Sequence, residues 1–504
     1  MKGVIAAGDY QSAKAGAWAL KQGGNAYDGI ISAMLAAPIC EPVFTSLGGG
    51  GFLMAAPPKE EPTLYDFFVD VPPNSEKKRE FFPIYVDFGK TVQEFHIGAA
   101  SAAIPGLIAG IEALHKDRAS LPLETLIQPA LEYATKGINL SSIQASFIRL
   151  LEPIFTSTKQ IKALYTPNGK LIDENYLFKN PAYGDFLKAF AKEGARLFYE
   201  GHIGDNIEKL CQEKGGLIDK KSLIDYQVQI RKPLGFEFDG YQAFTNPPPS
   251  SGGTLIAFTL ELLRSLDLKD FGSREHILKL LESLHVTSDF RKEHVDMALH
   301  SPELANILNN ARMLQNYTIS LKSRLNLWGN TTHISVMDAK GNAASATTTN
   351  GEACGHVIPE TGILLNNMLG EEDLNPHGFF SWPAGVRLPS MMAPTVLYKD
   401  GYPQIALGSA GSNRIRSAII NTILGLSRFG LNIQEAISAP RLHLEKGTIY
   451  MEPNFCDDPS FLEARYNLIP FHEKNLYFGG VQGVTSDLQG GADPRRGAAV
   501  LRVE

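Results

Sequence analysis

The pattern of apolar residues changes period at residue 331, and this limits the fold more than any other feature. From Ile104 to about Leu321 the spacing is mostly helical, as in Pro105–Leu114 and Leu255–Leu266. Thr332-His333-Ile334-Ser335-Val336-Met337 instead alternates, with Ile334 and Val336 on one face and His333 and Ser335 on the other. Asp338–Asn342 carries a hairpin-turn signal, and the small residues Ala343–Thr349 read as the returning strand. Gly362–Leu365, Thr395–Tyr398, Gln404–Leu407 and Ala498–Val503 are further strand candidates; Ile419–Phe429 and Ile433–Ser438 are helical. The first two-thirds is therefore expected to be helix-rich, and the last third to mix strands with helices.

The N-terminal region reads as a helix, a Gly23-Gly24-Asn25 turn and a very apolar helix, Ala26–Ala37. Four consecutive glycines, Gly48–Gly51, cannot be helix interior and mark a close approach of backbones before a buried strand, Phe52–Ala55. Residues 57–95 are rich in Pro, Glu and Lys and look like an insertion or surface loop. Pro247–Gly253 is a rigid turn entering a helix, with serine hydroxyls available as caps.

At 504 residues, 44% of them hydrophobic and 20% charged, the chain can bury a large core without staples. A net charge of -7 argues against nucleic-acid binding. The Lys77-Lys78-Arg79 cluster reads as a solvated loop. Cys40, Cys211, Cys354 and Cys456 are spread out, with no zinc spacing. No apolar run is long enough to span a bilayer, and no leader pattern opens the sequence, so a cytoplasmic protein is expected.

A hydroxyl needs a base to act as a nucleophile at neutral pH. One solution makes a threonine the first residue, so that its own α-amine, with a pKa of about 8, takes the proton. Such a chain must first be cut, and the cut can use the same hydroxyl in an N-to-O acyl shift. Gly329-Asn330-Thr331-Thr332, a strand-opening threonine after a loop, meets the requirement, and Thr347 and Thr349 share a face from which a hydroxyl can hold that of Thr331. A plain β-hairpin fits the same pattern. Gly408-Ser409-Ala410-Gly411-Ser412 suits a phosphate loop, an oxyanion hole or a tight strand-to-helix connection. Glu371-Glu372-Asp373 suits either a substrate ammonium or a solvated acidic turn, and His333 is assigned to packing or hydrogen bonding within the hairpin.

Several segments together resemble the γ-glutamyltransferase (glutathione hydrolase) family of N-terminal nucleophile hydrolases. They include Gly23–Asp28, Leu47–Phe52, Pro247–Gly253, Thr331-Thr332-His333, Thr347–Thr349, Gly362–Asn367, Ser390–Thr395 and Gly408–Arg414, in family order up to Asp493–Arg496. The resemblance implies a four-layer αββα sandwich, made by one precursor cut at Asn330-Thr331 into associating portions 1–330 and 331–504, with higher oligomers left open. It implies Thr331 as nucleophile, Thr349 as its orienting partner and backbone N–H groups of Gly411 and Ser412 as oxyanion hole. Ser390 matches a serine on the substrate's α-carboxylate, and Glu371 matches the acidic position. The implied partner is a small acyl amide, with no cofactor or metal.

The departures fall in substrate recognition. Phe68 stands where the family has its glutamyl-binding arginine, Gly351 where an asparagine is expected, Met368 in place of a glutamine and Met391 in place of a second serine. Phenylalanine cannot bind a carboxylate as an arginine fork does. Arg387 and Arg414 are the nearest candidates in the motifs for a replacement cation. The segment from Leu374 to Arg387 is short for a lid. Three readings follow: an enzyme acting on γ-glutamyl amides, an acylase for other acyl amides in the manner of cephalosporin acylases, and an uncut, non-catalytic family member.

Overall fold

The computed structural model describes residues 1–75, 78–87, 92–296, 298–301, 304, 330–463 and 465–504. Lys77, Gly329 and most of the helical pattern between 297 and 321 lie outside these residues. The named elements are β1 (Gly3–Ala7), α1 (Tyr10–Lys21), α2 (Ala26–Cys40), β2 (Gly50–Ala56), β3 (Thr63–Phe67), β4 (Gln229–Arg231), β5 (Leu234–Phe238), β6 (Tyr241–Thr245), α3 (Ser251–Arg264), α4 (Arg274–Phe290), β7 (Thr332–Asp338), β8 (Ala343–Thr349), β9 (Thr395–Lys399), β10 (Tyr402–Ala410), α5 (Arg414–Ser427), α6 (Ile433–Ser438), β11 (Gly480–Thr485), β12 (Gly490–Ala492) and β13 (Ala499–Val503).

Two antiparallel sheets stack face to face. One runs β13-β1-β7-β8-β2-β3-β4 and the other β12-β11-β10-β9-β6-β5. Alternation decides which face each residue serves. Ile5, Leu53, Ile334 and Val336 pack outward with α1 and α2, whereas Val4, Phe52, Met54 and Met337 pack inward with Leu407, Val484 and residues of α3 and α5. The order is thus helices, sheet, sheet, helices, and strands from either side of residue 331 interleave in the first sheet.

The inner face of β7 is polar, and its groups are paired, as burial requires. His333 Nδ1 lies 2.7 Å from Thr347 Oγ1 and Nε2 lies 2.9 Å from Ser335 Oγ; Ser345 Oγ donates to the Leu407 carbonyl at 3.0 Å. The ring reaches across to Gly408, where a Cβ would fall 2.3 Å from His333 Cε1. Among the described residues no helix is long and apolar enough to cross a membrane.

Three expectations need correction. Residues 57–95 are not a surface insertion throughout: β3 pairs between β2 and β4, and Asp66 is fully buried. The stretch from 229 to 245 is three strands rather than helix; Glu237 and Gln242 point outward and dilute the alternation that Phe236, Phe238 and Phe244 carry. Ser250 occupies the N-cap of α3 without capping it, because its hydroxyl donates to the Ser390 and Met392 carbonyls at 2.9 and 3.0 Å.

Candidate active site

The turn into β7 places Thr331 in a narrow cleft of about 50 Å³ between the sheets' ends. Phe68, Asn330, Thr349, Glu371, Ser390, Met391 and Ser412 line it with Thr331. Gly411 and Gly351 adjoin lining residues without lining the cleft, and Met368 is fully buried in the core outside it.

Close backbone packing fixes the surroundings of Thr331. A Cβ on Gly49 would sit 2.1 Å from the Thr349 carbonyl oxygen, so only glycine lets β2 support the end of β8 at this distance. The Thr349 hydroxyl donates to the Asn330 carbonyl oxygen and accepts from the Gly351 N–H at 3.1 Å. In the uncut chain this hydroxyl is therefore bonded to the carbonyl of the Asn330–Thr331 peptide and not to the Thr331 hydroxyl. Thr347, its neighbour on the same face, is taken up by His333.

At the end of β10 the chain turns through Gly411, φ 122°, and Ser412, φ 51°, before α5 begins. A left-handed serine is strained by roughly 1–2 kcal/mol, and its hydroxyl is held by Asp373 Oδ2 at 2.6 Å. The N–H groups of Gly411 and Ser412 have no acceptor among the described residues, as an oxyanion hole requires. Ser390, which also lines the cleft, has its Oγ accepting from the Met392 N–H at 3.1 Å.

The Glu371-Glu372-Asp373 turn is divided: Glu372 is exposed, whereas Glu371 and Asp373 are half-buried and line the cleft. Enclosure of the Glu371 carboxyl, and after it the charges of Glu352 and Asp373, push it well above the ordinary range although it keeps some solvent access. Glu352 is pushed up to about 8, chiefly by burial.

Neither proposed replacement cation reaches the cleft. Arg387 donates to Asp70 at 2.5 Å, to Asp66 Oδ1 at 2.7 Å and to the Gln227 carbonyl at 2.8 Å. Arg414 is buried over the Tyr477 ring and donates to that residue's carbonyl at 3.2 Å. The guanidinium that does line the cleft belongs to Arg291, just past α4, 3.0 Å from Asp296. Arg496 Nη1 donates to the Thr331 carbonyl at 3.0 Å, and burial pushes this guanidinium down to about 10. Next to Thr331, Thr332 Oγ1 donates to Glu41 at 2.6 Å, and burial next to Asp9 pushes that carboxyl up to about 8. Sequence reading missed Arg291, Arg496 and Glu41; only Arg496 carries a local signal, the Asp493-Pro494-Arg495-Arg496 run.

The chain is 28% identical to the glutathione hydrolase proenzyme of Escherichia coli (strain K12) over 98% of this chain and 90% of that protein. It is 28% identical to the acylase ACY 1 proenzyme of Pseudomonas sp. (strain V22) over 90% of this chain and 84% of that one. The crystal structure of cephalosporin acylase from Bacillus halodurans has the same fold, with a TM-score of 0.86 at 21% identity over 100% of this chain and 96% of the other. Residues 12–503 match the family described as Gamma-glutamyltranspeptidase, and the chain is an enzyme of that family.

Proposed function

We propose that the chain cuts itself between Asn330 and Thr331 and then cleaves γ-glutamyl or related acyl amides through an acyl ester on Thr331. The observation that carries this reading is the Thr349 hydroxyl bonded to the Asn330 carbonyl oxygen, at the mouth of the strand that Thr331 opens. In the first step Thr331 Oγ adds to the Asn330 carbonyl carbon and the Thr331 nitrogen leaves with the proton the hydroxyl gives up. Water then cleaves the ester, releasing the Asn330 carboxylate and a free α-amine on Thr331.

In turnover that amine takes the Oγ proton while the hydroxyl attacks the substrate carbonyl. The N–H groups of Gly411 and Ser412 receive the developing oxyanion. The leaving amine departs with the proton, and water or an amine resolves the acyl ester. The names of the Escherichia coli and Pseudomonas relatives, a glutathione hydrolase and an acylase, bracket the substrates this supports. Intact mass and N-terminal sequencing test the first step: a fragment beginning at Thr331 is expected, and a protein that stays one full-length chain would refute it.

A second reading, an acylase for non-glutamyl amides, has its own support. Phe68, Met391 and Leu299 give the cleft an apolar wall, and Arg387 is spent on Asp66 and Asp70. The ratio of γ-glutamyl-p-nitroanilide to glutaryl-p-nitroanilide turnover separates the two; clear preference for the γ-glutamyl compound removes the second.

A further inference from the structure

A cavity of about 440 Å³ adjoins the Thr331 cleft and shares Arg291, Asp296, Asp373 and Pro376 with it. The size is that of a site for a small molecule. The first turn of α5 forms part of its wall, and there Arg416 is 5% exposed, with no hydrogen-bond partner for Nε or Nη1 among the described residues. A buried guanidinium left unpaired is strongly unfavourable, so such donors mark a place that a further group completes.

Among the described residues five carboxylates line the cavity, Asp289, Asp296, Glu372, Asp373 and Glu445, and the last of these together with Asp296 and Asp373 have close partners. Asp296 is held by Arg291 at 3.0 Å, Asp373 by the Ser412 hydroxyl at 2.6 Å, and Glu445 by His443 at 2.9 Å and Asn413 at 3.1 Å. Lys446, half-buried in the same wall, has no carboxylate within ion-pair distance among the described residues. The N-terminus of α5 adds positive potential at the same spot.

We propose that this cavity binds a carboxylate carried by the substrate away from the scissile amide, with Arg416 as its anchor and Lys446 as a second cation. The proposal rests on Thr331 being the nucleophile of the adjoining cleft. It explains how the chain can recognise an anionic substrate although Phe68 stands where a carboxylate-binding arginine is expected and Arg387 is consumed by Asp66 and Asp70. The carboxylate belongs to the acyl chain or to the leaving amine, and the test has an arm for each.

In the acyl arm, kcat/KM is measured for succinyl, glutaryl and adipoyl p-nitroanilides against butyryl, pentanoyl and hexanoyl p-nitroanilides. In the amine arm, an acyl 4-aminobenzoate is compared with the same acyl group on aniline. A preference of about tenfold or more for the charged member is expected in one arm, the scale of a charge-assisted hydrogen bond. It is expected to collapse in Arg416→Met, to survive in part in Arg416→Lys, and to fall less steeply in Lys446→Met. Glutarate binding by calorimetry, against glutaramide, reads the cavity without turnover and without a variant. Binding of glutarate alone, lost in Arg416→Met, supports the site even if no anilide is cleaved, in which case the nucleophile reading fails by itself. Equal preference in both arms together with no glutarate binding overturns the proposal, as does a charge preference that Arg416→Met leaves intact in a folded, cut protein.

Discussion

Replacing Thr349 with valine removes one hydroxyl while keeping the branched shape that fits the end of β8. Two contacts go: the bond to the Asn330 carbonyl oxygen and the one received from the Gly351 N–H. The second loss leaves a backbone donor unpaired, with a cost of about 1–3 kcal/mol to the folded precursor. The first bears on the rate. As Thr331 Oγ adds to the carbonyl, its oxygen gains charge, and losing one donor aimed at such an oxygen slows a reaction by roughly 10²–10³. Part of that bond already exists before attack, so the expected slowing lies near the lower end, about a hundredfold. The assay follows the fragment beginning at Thr331 by intact mass after synthesis, beside Thr349→Ser, which retains the donor and should cut much faster than Thr349→Val. If Thr349→Val, folded by its thermal transition, cuts as fast as the parent, polarisation of Asn330 by this hydroxyl is refuted.

Gly49→Ala places a Cβ 2.1 Å from the Thr349 carbonyl oxygen, backbone against backbone; β2 and β8 must part, and a folded yield with normal cutting would contradict the packing argument. Arg387→Met leaves Asp70 without its guanidinium and buried Asp66 with Arg231 alone, at an expected cost of roughly 3–5 kcal/mol read from the urea midpoint. Burial pushes His333 down to about 3, so between about 3 and about 6.5 the unfolded chain takes a proton that the folded chain refuses. This stability is complete above that window and is lost as pH falls through it, by at most ~1.4 kcal/mol per pH unit; His333→Gln should flatten urea-unfolding stability there, and an unchanged slope would count against a neutral buried ring.

The parts of the fold that the sequence disclosed are those whose information is local. β7 alternates cleanly, a four-residue turn and a strand of small residues follow it, and the Gly48–Gly51 run announces a close approach that the Gly49–Thr349 contact requires. β3 was hidden because five residues between Pro- and Glu-rich stretches carry too short a period to register, although Asp66 is buried there. β11, Gly480–Thr485, was missed because two glycines interrupt its alternation. In the site, Thr331, Thr349 and Ser412 could be placed from motifs. Arg291 could not be, since its position in the cleft depends on how α4 packs, and Ser250 was misread as a cap because its carbonyl partners lie about 140 residues away.

The two tasks proposed for the site rest on different parts of the fold. The proposed attack uses mainly backbone: the end of β8 held by Gly49, the N–H groups of the Gly411–Ser412 turn and the carbonyl of Asn330. Moving any of them moves a sheet. Recognition depends on side chains entering from β3's far end, the Ser390–Met392 segment and the residues after α4, and these can change without disturbing a strand. Phe68 illustrates the point. Its ring stacks on Phe52 at 5.4 Å, within the apolar layer between the sheets. An arginine there would need a carboxylate to offset its desolvation, and the nearby acids Asp66 and Asp70 already serve Arg387. The absence of a cation at 68 and the commitment of those acids to Arg387 are thus physically linked, and under the proposal above the substrate's cation comes from Arg416 in the adjoining cavity, with Arg291 between cavity and cleft.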